Sequence, residues 1–116
     1  MAAPEVLVVE DEGLIALLLD DMLEDLGFHV AYSAATVAQA LAWLERGGAP
    51  DAALLDVNLA GEKVYPVADA LVARGVPFAF STGYGDAQDP RFGQAPLLGK
   101  PIVPDRLAAV LHSLGL

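Results

Sequence analysis

The sequence contains no cysteine, which excludes a disulfide framework, a thiolate nucleophile and any thiolate metal site. Basic residues are scarce as well: six Lys and Arg stand against sixteen Asp and Glu, for a formal net charge of −10. A chain this acidic repels phosphate backbones and anionic lipid, so neither nucleic acid nor a membrane surface is an expected partner. Long apolar runs are missing too. Despite a mean hydropathy of +0.49, none approaches the roughly 18 to 20 residues of a spanning helix. The N-terminus, Met1-Ala2-Ala3-Pro4-Glu5, has no basic stretch leading into an apolar one, so no signal peptide is expected and the cytoplasm is the expected location. At 116 residues the chain has room for one domain, 1–116, with no output domain expected beyond it.

What is present alternates between short apolar runs and longer stretches of helical apolar spacing, the pattern of βα units around a parallel sheet. The continuous run Val6-Leu7-Val8-Val9 suits a strand buried on both faces and ends in Glu10-Asp11-Glu12. A helix over 13–26 follows, with Leu14, Leu17, Leu18, Met22 and Leu26 three and four apart, and Gly27 closes it. Further strands are predicted at 28–32, 51–56, 76–81 and 97–99. Helices are predicted at 36–46, from Pro66 to Gly75 with Val67, Leu71 and Val72 inward, and from Pro104 onward. Between them, 58–63 reads as a polar loop. Gly83 to Pro96 is too rich in Gly and Pro for more than a helical turn or two, so the fourth helix should be short or irregular.

In an open parallel sheet, ligands bind beyond the carboxyl ends of the strands. The polar residues there are Glu10 and Asp11, Asp56, Thr82 and Lys100. Three gathered carboxylates repel one another unless a cation joins them, and an all-oxygen set suits Mg²⁺. The backbone carbonyl of Asn58 could complete its shell. With the metal bound, Asp56 is a candidate carboxylate nucleophile toward a phosphoryl group, Thr82 a hydroxyl donor and Lys100 a counter-charge. Alone, Glu10, Asp11 and Glu12 could equally be an acidic N-cap cluster. Five such residues at matching strand ends argue for chemistry.

The order and spacing of Val6-Leu7-Val8-Val9-Glu10-Asp11-Glu12, Leu54-Leu55-Asp56-Val57-Asn58-Leu59 with Gly61, Phe80-Ser81-Thr82-Gly83-Tyr84 and Leu98-Gly99-Lys100-Pro101 resemble the receiver domain of two-component response regulators. The resemblance covers essentially the whole chain. It implies a flavodoxin-like (βα)5 three-layer fold with five parallel strands in the order 2-1-3-4-5. It makes Asp56 the phosphoacceptor, Glu10 and Asp11 the Mg²⁺ acids, Thr82 the switch hydroxyl with Gly83 and Tyr84 beside it, and Lys100 the lysine whose bond to Pro101 is typically cis. The implied partners are a histidine kinase or histidine phosphotransfer protein, docking on the first helix, and an unknown downstream protein; Leu14, Ile15 and Leu18 are candidates for the docking contact, weighed against a core role expected to take most of this helix's apolar residues. A monomer or weak dimer is expected.

Two features are less usual. Three residues before the lysine, where ordinary receivers carry Tyr or Phe, stands Leu97, and the Thr82 to Lys100 span is short. With Pro77-Phe78-Ala79-Phe80-Ser81-Thr82-Gly83-Tyr84, the chain resembles the atypical single-domain receivers named for a Phe-Ala-Thr-Gly-X-Tyr-like motif, with Ser81 in place of its Ala. Alternatives are a phosphorylation-independent interaction module with a receiver fold, and an aspartyl-phosphate phosphatase. The phosphatase would need a second carboxylate where this chain has Asn58.

Overall fold

A computed structural model describes residues 3–83 and 89–116. Tyr84, the outermost of the expected switch residues, lies outside them. In chain order the elements are β1 (Glu5–Val9), α1 (Gly13–Asp25), β2 (His29–Ala34), α2 (Val37–Glu45), β3 (Ala52–Asp56), β4 (Asn58–Leu59), β5 (Glu62–Lys63), α3 (Tyr65–Ala73), β6 (Phe78–Thr82), a 3₁₀ turn (Pro90–Phe92), β7 (Leu97–Gly99) and α4 (Pro104–Ser113). Five strands form one parallel sheet in the order β2-β1-β3-β6-β7. Counting only its members, this is 2-1-3-4-5, the flavodoxin-like order.

Val6 to Val9 lie on an interior strand of that sheet and are at most 1% exposed, because helices cover both faces. Leu7 and Val9 point to one side, where Val37, Ala40 and Leu44 of α2 and Val67, Ala68 and Leu71 of α3 meet them. Val6 and Val8 point to the other, against Leu19 and Leu23 of α1 and Leu107 and Leu111 of α4. Burial of these two apolar layers supplies most of the driving force for folding. Among the described residues, no helix is long and apolar enough to cross a membrane.

Local signals set the helix ends. Thr36 caps α2, its hydroxyl accepting from Gln39 N–H at 3.1 Å, while Gln39 Oε1 accepts from Ala35 N–H at 2.8 Å, a reciprocal arrangement that satisfies two free donors. After α1, Gly27 takes a φ of +92°, a conformation that any side chain would strain.

Three expectations need correction. Leu14, Leu17 and Leu18 do not face the core: they are 72%, 58% and 49% exposed, and Leu19 and Leu23 are buried in their place. Leu14 to Leu19 is apolar at every position, so periodicity cannot set the helix phase and the sheet decides it. Val72, expected inward, is also exposed, with Ala68 inward instead. The loop 58–63 is a small antiparallel hairpin of β4 and β5, whose turn residues Ala60 and Gly61 take φ of +53° and +91°. That is a two-residue hairpin turn that usually announces itself as Asn-Gly or Asp-Gly, and Ala-Gly hides it.

Among the described residues between β6 and β7 the one helical element is the 3₁₀ turn, and this part is well anchored. Phe92 stacks on Tyr65 with ring centres 5.7 Å apart and meets Phe78 and Phe80 edge-on, both at 5.9 Å. Arg91 bridges Asp69 at 3.2 Å and Asp89 at 3.1 Å, and Asp89 N–H donates to Tyr65 Oη at 3.1 Å. The aromatic anchor carries most of the energy, since exposed ion pairs contribute little. Phe92→Ala is therefore expected to destabilise the fold by about 2 to 3 kcal/mol and to speed proteolytic cleavage within 89–96. Urea denaturation and limited proteolysis measure both, and unchanged values would show that this segment is held by something else.

Candidate phosphoacceptor site

At the carboxyl edge of the sheet, β1 delivers Glu10 and Asp11, β3 delivers Asp56, β6 ends at Thr82 and β7 leads into Lys100. Glu10 N–H donates to Ala34 O at 2.9 Å and Lys100 N–H to Thr82 O at 3.0 Å, so backbone bonds extend the strand register one residue into the site. The peptide bond between Lys100 and Pro101 is cis, as the resemblance implied.

One carboxylate oxygen from each of Glu10, Asp11 and Asp56 falls within 4.8 Å of the others. Glu10 and Asp56 are 2% and 4% exposed, and Asp11 is half-buried at the rim. Lys100 Nζ reaches between the two buried acids, 2.9 Å from Asp56 Oδ2 and 3.1 Å from Glu10 Oε1. Its hydrogen bond goes to Asp56. Glu10 Oε1 is left without a hydrogen bond of its own, while Oε2 accepts from Glu12 N–H at 3.1 Å. On the far side Asn58 N–H donates to Asp56 Oδ1 at 3.2 Å.

The electrostatics follow from this packing. Burial pushes the Glu10 carboxyl from its ordinary 4.5 up to about 7, with the Glu12 N–H and Lys100 pulling it down and neighbouring Asp56 adding to the rise. Burial would lower Lys100, but bonds to Asp56 and Glu10 outweigh it and hold the ammonium above its usual range. One cation thus serves two buried acids, and Glu10 is the one that burial biases toward its protonated form.

A divalent cation fits this arrangement. Three hard oxygen donors converge, two of them from buried carboxylates; this donor set suits Mg²⁺ with waters completing its shell.

Asp11, Glu12, Asp56, Asn58, Ala60, Gly83 and Lys100 border an open cleft of about 330 Å³. Of the residues predicted for the site, Glu10, Asp11, Asp56 and Lys100 come together directly, and Asn58 and Gly83 line the cleft. Thr82 sits beside it, paired with Gly99 and bonded through its carbonyl to Lys100. Sequence reasoning missed the anchoring of Tyr65 and Phe92; their signal was no more than two aromatics in a chain that is only 7% aromatic.

Comparison with known proteins bears on this geometry. The family described as the response regulator receiver domain matches residues 6–112. Phyllosphere-induced regulator PhyR of Methylorubrum extorquens is 33% identical over 117 residues, covering 94% of this chain and 42% of PhyR, so the chain spans less than half the length of that relative. The solution structure of SdrG from Sphingomonas melonis Fr1 superposes with a TM-score of 0.88 at 49% identity, over 100% of this chain and 99% of that one. The BeF3-activated conformation of SdrG from Pseudomonas melonis Fr1 gives 0.83 at 48% identity, with 100% of both chains covered. Since agreement extends from the first strand into the last helix, this chain belongs to the response regulator receiver domain family.

Proposed function

We propose that the protein is a stand-alone receiver that accepts a phosphoryl group on Asp56 from the phosphohistidine of a kinase or phosphotransfer protein, and signals through contact with a downstream protein. The observation that carries this reading is the convergence of Glu10, Asp11 and Asp56 on one point, with Lys100 Nζ 2.9 Å from the Asp56 carboxylate.

In the step itself, an oxygen of the Asp56 carboxylate attacks phosphorus. The bond from phosphorus to the donor nitrogen breaks, the imidazole keeps the electron pair, and an acyl phosphate forms. Glu10, Asp11, Asp56 and the Asn58 carbonyl are the groups that would hold Mg²⁺, which supplies charge neutralisation and orientation of the phosphoryl oxygens when bound. Lys100 already lies within bonding distance of Asp56 and can follow the new charge onto a phosphoryl oxygen. Thr82, at the end of β6, is the hydroxyl available to another, with Gly83 and Tyr84 continuing the switch. Adding a charge of about −1.5 to −2 beside Lys100 gives these residues a reason to move.

Exposure of Leu14, Leu17 and Leu18 beside the site supports α1 as the docking face for the histidine partner. A small apolar cavity of about 110 Å³, lined by Ile15, Leu18, Leu19, Met22, Lys100, Pro101 and Ile102, continues that face toward the site. The phosphatase alternative needs a general acid at position 58; Asn58 offers none, and its Oδ1 is engaged by Gly61 N–H at 2.9 Å.

Incubation with acetyl phosphate tests the proposal. The expected result, read by intact mass, is a Mg²⁺-dependent gain of one phosphoryl group that is absent in Asp56→Asn. A label that survives in the variant would move the acceptor elsewhere. If no label forms and beryllofluoride leaves the Asp56 and Lys100 environments unchanged by NMR, the interaction-module reading takes its place.

A further inference from the structure

We propose that Lys63 is a specificity-determining residue of this site, which draws anionic phosphoryl donors to the mouth of the cleft and favours the more highly charged among them. The inference rests on the reading of Asp56 as phosphoacceptor and adds to it a residue outside the acid cluster.

The hairpin carries the argument. Lys63 lies directly opposite Asn58 in the β4–β5 pair, and directly opposed residues of an antiparallel pair project to the same side with Cβ atoms roughly 5 Å apart. Leu59, on the other side, is 3% exposed and faces the core. The Asn58 and Lys63 side therefore faces outward, and Asn58 borders the cleft that holds Asp56. Asn58 Oδ1 accepts from Gly61 N–H across the turn, which stiffens the hairpin that pairs Lys63 with the cleft-lining Asn58. Lys63 is exposed, and among the described residues it makes no ion pair.

Charge makes that position matter. Glu10 and Asp56 share one partly exposed cation, Lys100, and Asp11 and Glu12 border the same cleft, in a chain of net charge −10. A phosphoryl donor is an anion and approaches against this field. A mobile ammonium on the hairpin beside the cleft lowers that barrier in proportion to the donor's charge, an effect that salt screens over about a Debye length (~8 to 10 Å).

The experiment compares acetyl phosphate, with two negative charges, and phosphoramidate, with a net charge of one at neutral pH. In both, an Asp56 oxygen attacks phosphorus. The group expelled with the bonding pair is acetate from the first and ammonia from the second, so charge and protons balance without another reactant. Initial labelling rates with excess Mg²⁺ are read by intact mass for the full chain and for Lys63→Glu, Lys63→Gln and Lys63→Arg. At low ionic strength, Lys63→Glu is expected to slow acetyl phosphate about fivefold and phosphoramidate about twofold, with Lys63→Gln in between and Lys63→Arg restoring the wild-type rate. High salt should erase the differences. Equal rates in all four proteins would overturn the inference while leaving Asp56 as the acceptor. So would an equal, salt-insensitive slowing with both donors, which would mark a purely structural hairpin. Absence of label in the wild type as well would overturn this inference together with the phosphoacceptor reading.

Discussion

Lys100→Ala is expected to cost the fold about 3 kcal/mol when divalent cations are chelated, and excess Mg²⁺ should return most of that loss. Removing the ammonium leaves two carboxylates, Glu10 and Asp56, whose side chains are 1% and 4% exposed, with no cation between them. Breaking a buried pair from one side destabilises strongly, because the surviving charge stays buried without its partner. The Lys100 side chain is itself 21% exposed, so some water can enter after truncation, which holds the cost toward the lower end of the range for buried pairs. A divalent cation joined to the same oxygens replaces the missing charge, so the deficit should close as Mg²⁺ is added. Urea denaturation in chelator and in excess Mg²⁺ measures both halves. Identical midpoints for wild type and variant in chelator would mean that the two carboxylates do not repel in the folded state.

The other large effect concerns pH. Burial raises the Glu10 carboxyl from 4.5 to about 7, so over that interval the folded chain holds a proton that the unfolded chain has released. Stability from that proton is complete below about 4.5 and is lost as pH rises toward about 7, with a slope approaching 1.4 kcal/mol per pH unit at its steepest. Without metal, the wild type should therefore lose stability across this window relative to Glu10→Gln, in which the neutral amide removes the titration. Mg²⁺ should reverse the trend, since a metal competes with the proton for the same oxygens and stabilises more as the carboxylate ionises. Denaturation midpoints of both proteins at several pH values, with and without Mg²⁺, test the sign directly. A difference between them that stays flat with pH would sink the argument.

Much of this site is legible in the sequence. Strand ends are local features: an apolar run that stops at Glu10, Asp56, Thr82 or Lys100 places those residues at one sheet edge whatever the details of packing. The resemblance to receivers then assigned their roles, and the strand order and cis Lys100–Pro101 bond agree with it. The 3₁₀ turn between β6 and β7 was likewise readable, because Gly and Pro weaken a helix by their own backbone preferences.

Other features depended on contacts between segments distant in the chain. Six consecutive apolar residues, Leu14 to Leu19, leave the orientation of α1 undecided; it was the packing of Leu19 and Leu23 against Val6 and Val8 that turned Leu14, Leu17 and Leu18 outward. The anchoring of Phe92 brings together α3, β6 and the 3₁₀ turn. Raising Glu10 to about 7 required burial among neighbours contributed by β3 and the residues after β7. By itself, then, the sequence determined the five strands of the parallel sheet and the four α-helices, though not the β4–β5 hairpin, and which acids, hydroxyl and lysine stand at the strand ends, since these follow from backbone propensity and short apolar runs. Tertiary structure alone decided which leucines stay exposed, how the acids share one lysine and that Lys63 pairs with Asn58 in a hairpin, because burial, charge and distance are properties of segments brought together only by folding.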